Sequence, residues 1–387
     1  MASPLHHHQA FLEDSLDSGV LIFTNDAARQ HTELLFSAVL QQLAARQLQV
    51  LSTPYQRIEL VRLIYRFAQS RPSKDLTLQT FFSSVNIDMA ADLSLDGVDL
   101  EPVPEKIVEF TDHLFAHFFL PLKASSAKTP QPTPASLSVP SLSPGQTLPA
   151  SSHRLSTLRR DCLIRDKNRC VVTRKFGNAE ALVRFRRDGS DAVDDEGQHL
   201  FITGRRDFEY LEVAHILPHS LMSLDGDSAT VTARRNALAI LDMFDVGARH
   251  LIEGYNIDRP TNALTLTQGC HREFGMFHMY FEAVRDREAP PHTYDIQSFL
   301  PSVLSQVPET MTRTLPMAEH HNIDVPLPRL LAIHAAVAKV LHMSGAGEHC
   351  DSVLRDTEEL LVQADGSTNL GTLAALRLGG WWNGLVV

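Results

Sequence analysis

The chain has 387 residues, of which 43% are hydrophobic and 21% charged, proportions that are ordinary for a globular protein of about two domains. Its formal net charge of -11 argues against a protein that binds polyanions over its whole surface. No apolar run is long enough to span a bilayer and residues 1–30 lack the order of a secretory signal, so we expect an intracellular protein, cytoplasmic or nuclear, without a membrane partner.

The first 123 residues contain three stretches with apolar side chains at helical spacing, at 27–48, 57–69 and 105–122. They predict a helical N-terminal domain over residues 1–123. Residues 124–153 follow with six prolines and no aromatic or acidic residue, and such a composition buries too little apolar surface to fold. We therefore expect a disordered linker there.

Charge changes sign after this segment. Residues 154–187 hold 11 Lys and Arg against 3 Asp and Glu, a net charge of +8. A helix is expected to carry Leu158 and Cys162 inward and to end at "RDKNR", and "CVVT" (170–173) is expected to form a short strand. The polar span 186–207 is interpreted as an irregular insertion before the strand "YLEVAHIL".

The second half of the chain mixes helix and strand signals. A helix is predicted within 228–252, a strand at "ALTL", and a helix from Gln268 that carries His271 and, two turns later, His278. Further helices are predicted at about 328–342 and 348–364. Residues 291–387 are therefore expected to form a helical C-terminal extension.

Three polar residues lie at the ends of these elements. His215 ends a predicted strand, Asn262 precedes the next strand, and His271 begins a helix nine residues after Asn262. A strand–strand–helix hairpin would bring the two histidines to face each other, with Asn262 bracing the loop. A single histidine at a strand end is usually structural, but the ordered trio favours a functional site.

The residues around the trio resemble the HNH endonuclease family. The similarity is carried by "AHILPHSL", by "IDRPTNALTL" and by the spacing of "NALTLTQGCH", and it extends over about residues 155–285. The pattern looks most like the HNH nuclease domains of fungal proteins. The resemblance implies an α+β protein with a ββα-metal core over residues 154–290.

The resemblance also implies roles for individual residues in metal-dependent hydrolysis of DNA phosphodiester bonds. His215 would be the general base, because imidazole titrates near neutral pH. His271 would bind one divalent ion, expected to be magnesium, and Asn262 would hold the loop and orient His215 by a hydrogen bond. Substrate phosphates would meet the basic stretch, for which the candidate contacts are Arg159, Arg160, Arg165, Lys167 and Arg169.

Two positions depart from the family pattern. Ala214 stands where many members have a metal ligand, and Gly275 where some have an aspartate. The second metal ligand therefore stays open between Glu212, on the same strand face as Ala214, and His219; Asp258 and Glu273 are weaker candidates. The alternative is a catalytically degenerate HNH-fold protein that binds nucleic acid or another protein.

The zinc-binding cysteine pairs of many HNH proteins are incomplete here. One cysteine of each pair is present, Cys170 in "CVVT" and Cys270 in "TQGC", where Thr267 replaces a partner. We expect no structural zinc, cysteines packed as small apolar side chains, and a core using Phe274, Phe277 and Tyr280 in its place. These departures also argue against a purely structural zinc module. Three roles stay open for the N-terminal domain, namely recruitment of a protein partner, contact with the substrate and oligomerisation, and its acidity makes direct DNA contact the least expected of them.

Overall fold

The computed structural model describes residues 23, 25–126, 150–201, 207–221, 228–307, 311–315 and 323–358. Its helices are α1 (Asp26–Ala45), α2 (Arg57–Phe67), α3 (Arg71–Val85), α4 (Val103–Leu114), α5 (Leu120–Ser126), α6 (Ala150–Arg165), α7 (Asn178–Asp188), α8 (Ser228–Phe244), α9 (Ala248–Ile252), α10 (Gln268–Gly275), α11 (Pro328–Ser344) and α12 (Ala346–Glu358). None of these described helices is by itself long and apolar enough to cross a membrane, although α11 and α12 meet that test as a pair bent by 86°.

Three small sheets accompany the helices. The strands are β1 (Phe176–Gly177), β2 (Phe208–Glu209), β3 (Leu211–His215), β4 (Ala263–Thr267), β5 (Met279–Ala283), β6 (Thr293–Ser298) and β7 (Met311–Thr314). β1 pairs with β2 in parallel, β3 pairs with β4 antiparallel, and β5, β6 and β7 form an antiparallel sheet in that order. The chain therefore mixes helix and strand, as an α+β protein does.

The chain divides into two compact units. The first comprises Met1–Ala124, Ser220–Leu251 and Ala336–Val387, and the second comprises Ser125–His219 and Ile252–Ala335. The chain thus leaves the second unit directly after His219 and returns to it at Ile252.

The first unit is helical because its apolar side chains recur on one face of each helix. Asn25 accepts from the Ala28 N–H at 2.7 Å and starts α1, and Ser70 does the same for α3. α4 runs through a π-helical turn at Phe115–Phe119 into α5. The rings of Phe118 and Phe244, from this turn and from α8, stack with centroids 5.6 Å apart.

The second unit is built around the β3–β4 hairpin. The pairing runs from Leu211 opposite Thr267 to His215 opposite Ala263. All five residues of β4 are buried, and Leu158 and Cys162 of α6 pack in one cluster with Val213 and Ala263. α10 begins directly after β4, and the side-chain oxygen of Thr267 caps it by accepting from the Cys270 N–H at 3.3 Å.

The helix that carries His271 is shorter than predicted. α10 ends at Gly275 because Phe277 adopts a left-handed backbone with φ of 59°, and the chain then enters β5. His278 therefore does not lie on this helix. The predicted helical extension also begins with strand, since β6 and β7 lie within 291–314. The expected core residues Phe274, Phe277 and Tyr280 are buried.

Two other local predictions were wrong. The "CVVT" segment forms a turn, in which the Val171 N–H donates to the Thr265 carbonyl at 2.9 Å. The segment interpreted as irregular from residue 186 overlaps α7, which continues to Asp188. At the two ends of the predicted linker the chain is helical, with α5 reaching Ser126 and α6 beginning at Ala150, whereas residues 127–149 lie outside the described residues.

Candidate active site

His215 is the last residue of β3 and lies inside the second unit. Its side chain is only 1% exposed, and its neighbours in the hairpin hold it in a fixed position. The ring Nε2 lies 3.2 Å from Asp258 Oδ1, on the turn that precedes β4. The ring Nδ1 is also buried and has no hydrogen-bond partner among the described residues.

The contact with Asp258 fixes the tautomer of His215. Burial lowers the pKa of His215, and the positive fields of His219 and His271 add to this effect, while Asp258 opposes it. The ring is therefore neutral at neutral pH and carries one proton. Since an ionised carboxylate only accepts hydrogen bonds, this proton sits on Nε2 and leaves the lone pair on Nδ1.

Asp258 holds three groups at once. Its Oδ1 meets His215, and its Oδ2 meets His219 Nε2 at 3.4 Å and Arg154 Nε at 3.2 Å. Burial raises the pKa of Asp258, but hydrogen bonds from His215 and His219 outweigh burial and keep the pKa below its ordinary value. The sequence marked Asp258 only as a weak metal candidate, because nothing in it shows that the turn folds back onto His215.

Asn262 braces the loop around the site. Its Oδ1 accepts from the Leu217 N–H at 3.0 Å, and its Nδ2 donates to the carbonyls of Leu217 at 2.9 Å and Ile257 at 3.0 Å. The predicted role in holding the loop fits these contacts. The predicted hydrogen bond to His215 does not, since Asp258 occupies that position.

Glu212 and His271 form a second pair. His271 Nδ1 lies 2.6 Å from Glu212 Oε2, and Gln268 Nε2 donates to Glu212 Oε1 at 3.1 Å. The hydrogen bond from His271 holds the pKa of Glu212 below its ordinary value. A histidine that binds a metal commonly donates its other ring N–H to a carboxylate, and Glu212 stands in that position behind His271.

A complete protein-built metal centre is not found among the described residues, which contain no group of three His, Cys, Asp or Glu side chains able to hold an ion. His219 lies against Asp258 instead of joining Glu212 and His271 in such a group. Glu273 is occupied elsewhere, because it accepts from the Gln306 N–H at 2.6 Å and from Ser305 Oγ at 2.9 Å. One imidazole and one carboxylate would leave most coordination positions of a divalent ion to water or other oxygen ligands.

The five predicted phosphate contacts have different environments. The prediction for Arg165 requires correction, because its side chain is fully buried. It pairs with Asp166 and donates to the carbonyls of Pro260 and Ala263, so it supports the fold instead of contacting phosphate. Arg159 donates to the Leu211 carbonyl at 2.9 Å, and Arg169 pairs with Asp194 at 2.6 Å. The other two form ion pairs at the surface, exposed Arg160 with Asp161 and partly exposed Lys167 with Glu196.

Comparison with known protein families finds a match for the segment that contains this site. Residues 170–282 match the model of a family described as HNH endonuclease, HNH_2, and this range contains His215, Asn262 and His271. The resemblance seen in the sequence is thereby confirmed for this segment, and it indicates a nuclease, a hydrolase that acts on nucleic acid. Searches of curated proteins and of solved structures found no match to the chain.

Proposed function

We propose that the second unit is a metal-dependent endonuclease that hydrolyses DNA phosphodiester bonds, with His215 as the general base. The observation that carries the proposal is the state of this ring: Asp258 binds Nε2, and Nδ1 is a buried acceptor without a partner among the described residues. An unsatisfied buried acceptor costs free energy unless a group from outside the chain meets it. A water that attacks a phosphodiester would supply the missing donor.

The arrangement of β3, β4 and α10 supports the assignment of the HNH core. In this arrangement Asp258 stabilises the positive charge that develops on His215 when its Nδ1 takes a proton from the attacking water. Asn262 keeps the loop after β3 in place through Leu217, so that His215 stays at the end of the strand.

The resident metal would be held by His271, which Glu212 orients, and its second protein ligand stays open between Glu212 and His219. When bound, a divalent ion neutralises charge that develops on the phosphate oxygens and the leaving oxygen. Substrate phosphates would also meet exposed basic side chains of the same unit, of which Arg160 and Lys167 are the best placed for solvent access.

The competing proposal is a degenerate HNH-fold protein that binds nucleic acid without cleaving it. It is favoured by Ala214, which removes a ligand position, and by the lack of a three-residue metal group in the described part of the chain. The two proposals differ in one observable, namely cleavage that depends on both a metal and His215.

The test is nicking of supercoiled plasmid by the purified full chain with magnesium, manganese or EDTA. Wild type, His215→Ala and a control, His342→Ala, are compared; His342 is an exposed histidine of α11 outside this site. We expect metal-dependent nicking by wild type and the control, and a loss of roughly 100-fold or more in His215→Ala. Folded wild type that binds plasmid but does not cut it with any metal would favour the degenerate scaffold.

A further inference from the structure

A second concave region of the same unit lies on the turn that follows α6. It is a cavity of about 340 Å³, a volume within the range of ligand pockets. Its walls come from the segment 169–176 and from the segments 194–200 and 207–208. None of the residues that form the His215 site lines it.

Most of the charges around this cavity are already neutralised by neighbours. Arg169 pairs with Asp194 at 2.6 Å, Lys175 pairs with Glu209 at 2.7 Å, and Glu196 pairs with Lys167. Asp194 also accepts from the backbone N–H groups of Glu196 and Gln198. These pairs make the wall rigid and leave little net charge from their members.

Arg174 is different from the other cations of the cavity. Its guanidinium has no hydrogen-bond or ion-pair partner among the described residues, and the side chain is partly buried. Burial lowers the pKa of Arg174, and the charge of Arg169 acts in the same direction, while Glu196 and Asp166 oppose this shift without forming an ion pair with Arg174. A partly desolvated cation that forms no ion pair costs free energy, and a bound anion would offset that cost.

Arg174 has an uncommon backbone conformation. Its φ of 61° lies in the left-handed region, which a residue with a side chain seldom adopts. The conformation is held because the Arg174 N–H donates to the Cys170 carbonyl at 3.0 Å, while its own carbonyl accepts from Arg169 Nη1 at 2.8 Å. Strained residues of this kind cluster at ligand sites.

Two neutral or weakly basic groups complete the donor set. Gln198 and His199 line the same cavity, and both are exposed to solvent. An amide N–H, an imidazole N–H and a guanidinium are the donors that bind phosphate oxygens in proteins.

We propose that this cavity binds a phosphate group of the nucleic-acid backbone through Arg174, with Gln198 and His199 as further donors. The assignment rests on the proposed function, since it gives that nuclease a second contact with its substrate away from the scissile bond. Such a contact positions the strand and reads no base sequence.

The test measures binding separately from cleavage. Affinity of the full chain for a fluorescein-labelled DNA oligonucleotide is measured by anisotropy in EDTA over a series of salt concentrations, for wild type, Arg174→Gln and a control, Arg62→Gln. Arg62 is an exposed, ion-paired residue of α2, so its substitution changes net charge equally. Melting temperatures of the three proteins are measured with and without inorganic phosphate.

We expect Arg174→Gln to weaken DNA binding roughly tenfold at low salt. The slope of log affinity against log salt should become shallower by about one, the change expected when one phosphate contact is lost. The control is expected to match wild type. The melting temperature of Arg174→Gln without phosphate should be unchanged or higher, because a partly desolvated charge that forms no ion pair has been removed. A lower melting temperature, or unchanged DNA affinity, would overturn the proposal and assign Arg174 to the fold.

Two further outcomes separate the sources of phosphate and the two proposals. If inorganic phosphate raises the melting temperature of wild type but not of Arg174→Gln while DNA affinity is unchanged, the cavity holds a free phosphate and the backbone assignment is wrong. If Arg174→Gln loses DNA affinity but wild type never nicks plasmid, the phosphate site stands and the nuclease proposal fails. If wild type nicks plasmid but Arg174→Gln binds DNA as tightly as wild type, the nuclease proposal stands and the phosphate site is wrong.

Discussion

His334 supports the helix that carries His271, and the structure predicts that its protonation destabilises the second unit. The ring lies between two aromatic rings, with centroids 3.8 Å from Phe274 and 4.6 Å from Phe277. Its Nε2 lies 3.1 Å from the Phe274 carbonyl. Complete burial lowers the pKa of His334 to about 3 from its ordinary value of 6.5.

The sign and size of the effect follow from linkage between protonation and folding. Between pH 6.5 and pH 3 the unfolded chain binds a proton at His334 that the folded protein does not, so stability falls as the pH falls. Each pH unit in this window costs about 1.4 kcal/mol, and the loss between pH 7 and pH 5 is therefore about 2 kcal/mol. The loss levels off once the pH falls below the folded pKa.

The assay is urea denaturation followed by far-ultraviolet circular dichroism at several pH values from 8 to 5, for wild type and His334→Phe. The phenylalanine keeps the aromatic stack but removes one donor to the Phe274 carbonyl, which still accepts from the Phe277 N–H at 3.0 Å. The loss of this one hydrogen bond costs about 1 kcal/mol at pH 8. Between pH 7 and pH 5 we expect the difference in free energy of unfolding to change by about 2 kcal/mol in favour of His334→Phe. Other titrating groups contribute to both proteins and cancel in the difference.

Ile333→Val is the matched control, because Ile333 is the buried neighbour of His334 on α11 and does not titrate. It should lower the free energy of unfolding by about 1 kcal/mol at every pH. Parallel curves for wild type and His334→Phe would refute the reasoning, since they would mean that His334 takes up its proton in the folded protein.

Three further predictions concern residues whose contacts the fold places at the site. Asp258→Asn should lower the nicking rate by roughly 100-fold, because His215 loses the carboxylate that stabilises its charged form, and the plasmid assay measures this. Arg165→Met should destabilise the second unit by about 3–5 kcal/mol in urea denaturation, since a buried partner charge is left alone, whereas Arg160→Met should change stability by less than about 0.5 kcal/mol. Asn262→Ala removes three buried hydrogen bonds and should cost about 3 kcal/mol or more in the same assay, with accelerated hydrogen exchange at the loop amide that it holds.

The order of His215, Asn262 and His271 was predictable from the sequence because each lies at the junction of two short, strongly patterned elements. Alternation along β3 places Glu212 on the same strand face as Ala214, and the observed pairing with β4 brings Glu212 close to His271. The partner of His215 was not predictable in the same way. Asp258 ends a short 3-10 helix (Gly254–Asp258), and no pattern in the sequence shows that this segment brings the carboxylate to the imidazole.

The largest error in the fold has a physical origin in the apolar run after His271. The letters "FGMFHMYFE" suit a buried helix and a buried strand equally well, and periodicity does not separate them. A left-handed backbone at Phe277 ends the helix, and a phenylalanine in the sequence does not predict that conformation. The prediction for Arg165 had a different problem. A charged residue in a basic stretch is normally expected at the surface, whereas Arg165 is buried.

The two cysteines that match the zinc-binding pairs lie together and join the segments that carry them. The thiols of Cys170 and Cys270 hydrogen-bond each other, and the Thr173 N–H donates to Cys170 Sγ at 3.4 Å. The hydrogen bond with Cys170 and burial both raise the pKa of Cys270, so this thiol stays protonated. Because Cys270 directly precedes His271, these contacts hold the start of α10 against the turn at 170–173. That turn also carries the chain into Arg174, so one small cluster of cysteines and threonines supports both the His271 side of the active site and the proposed phosphate cavity.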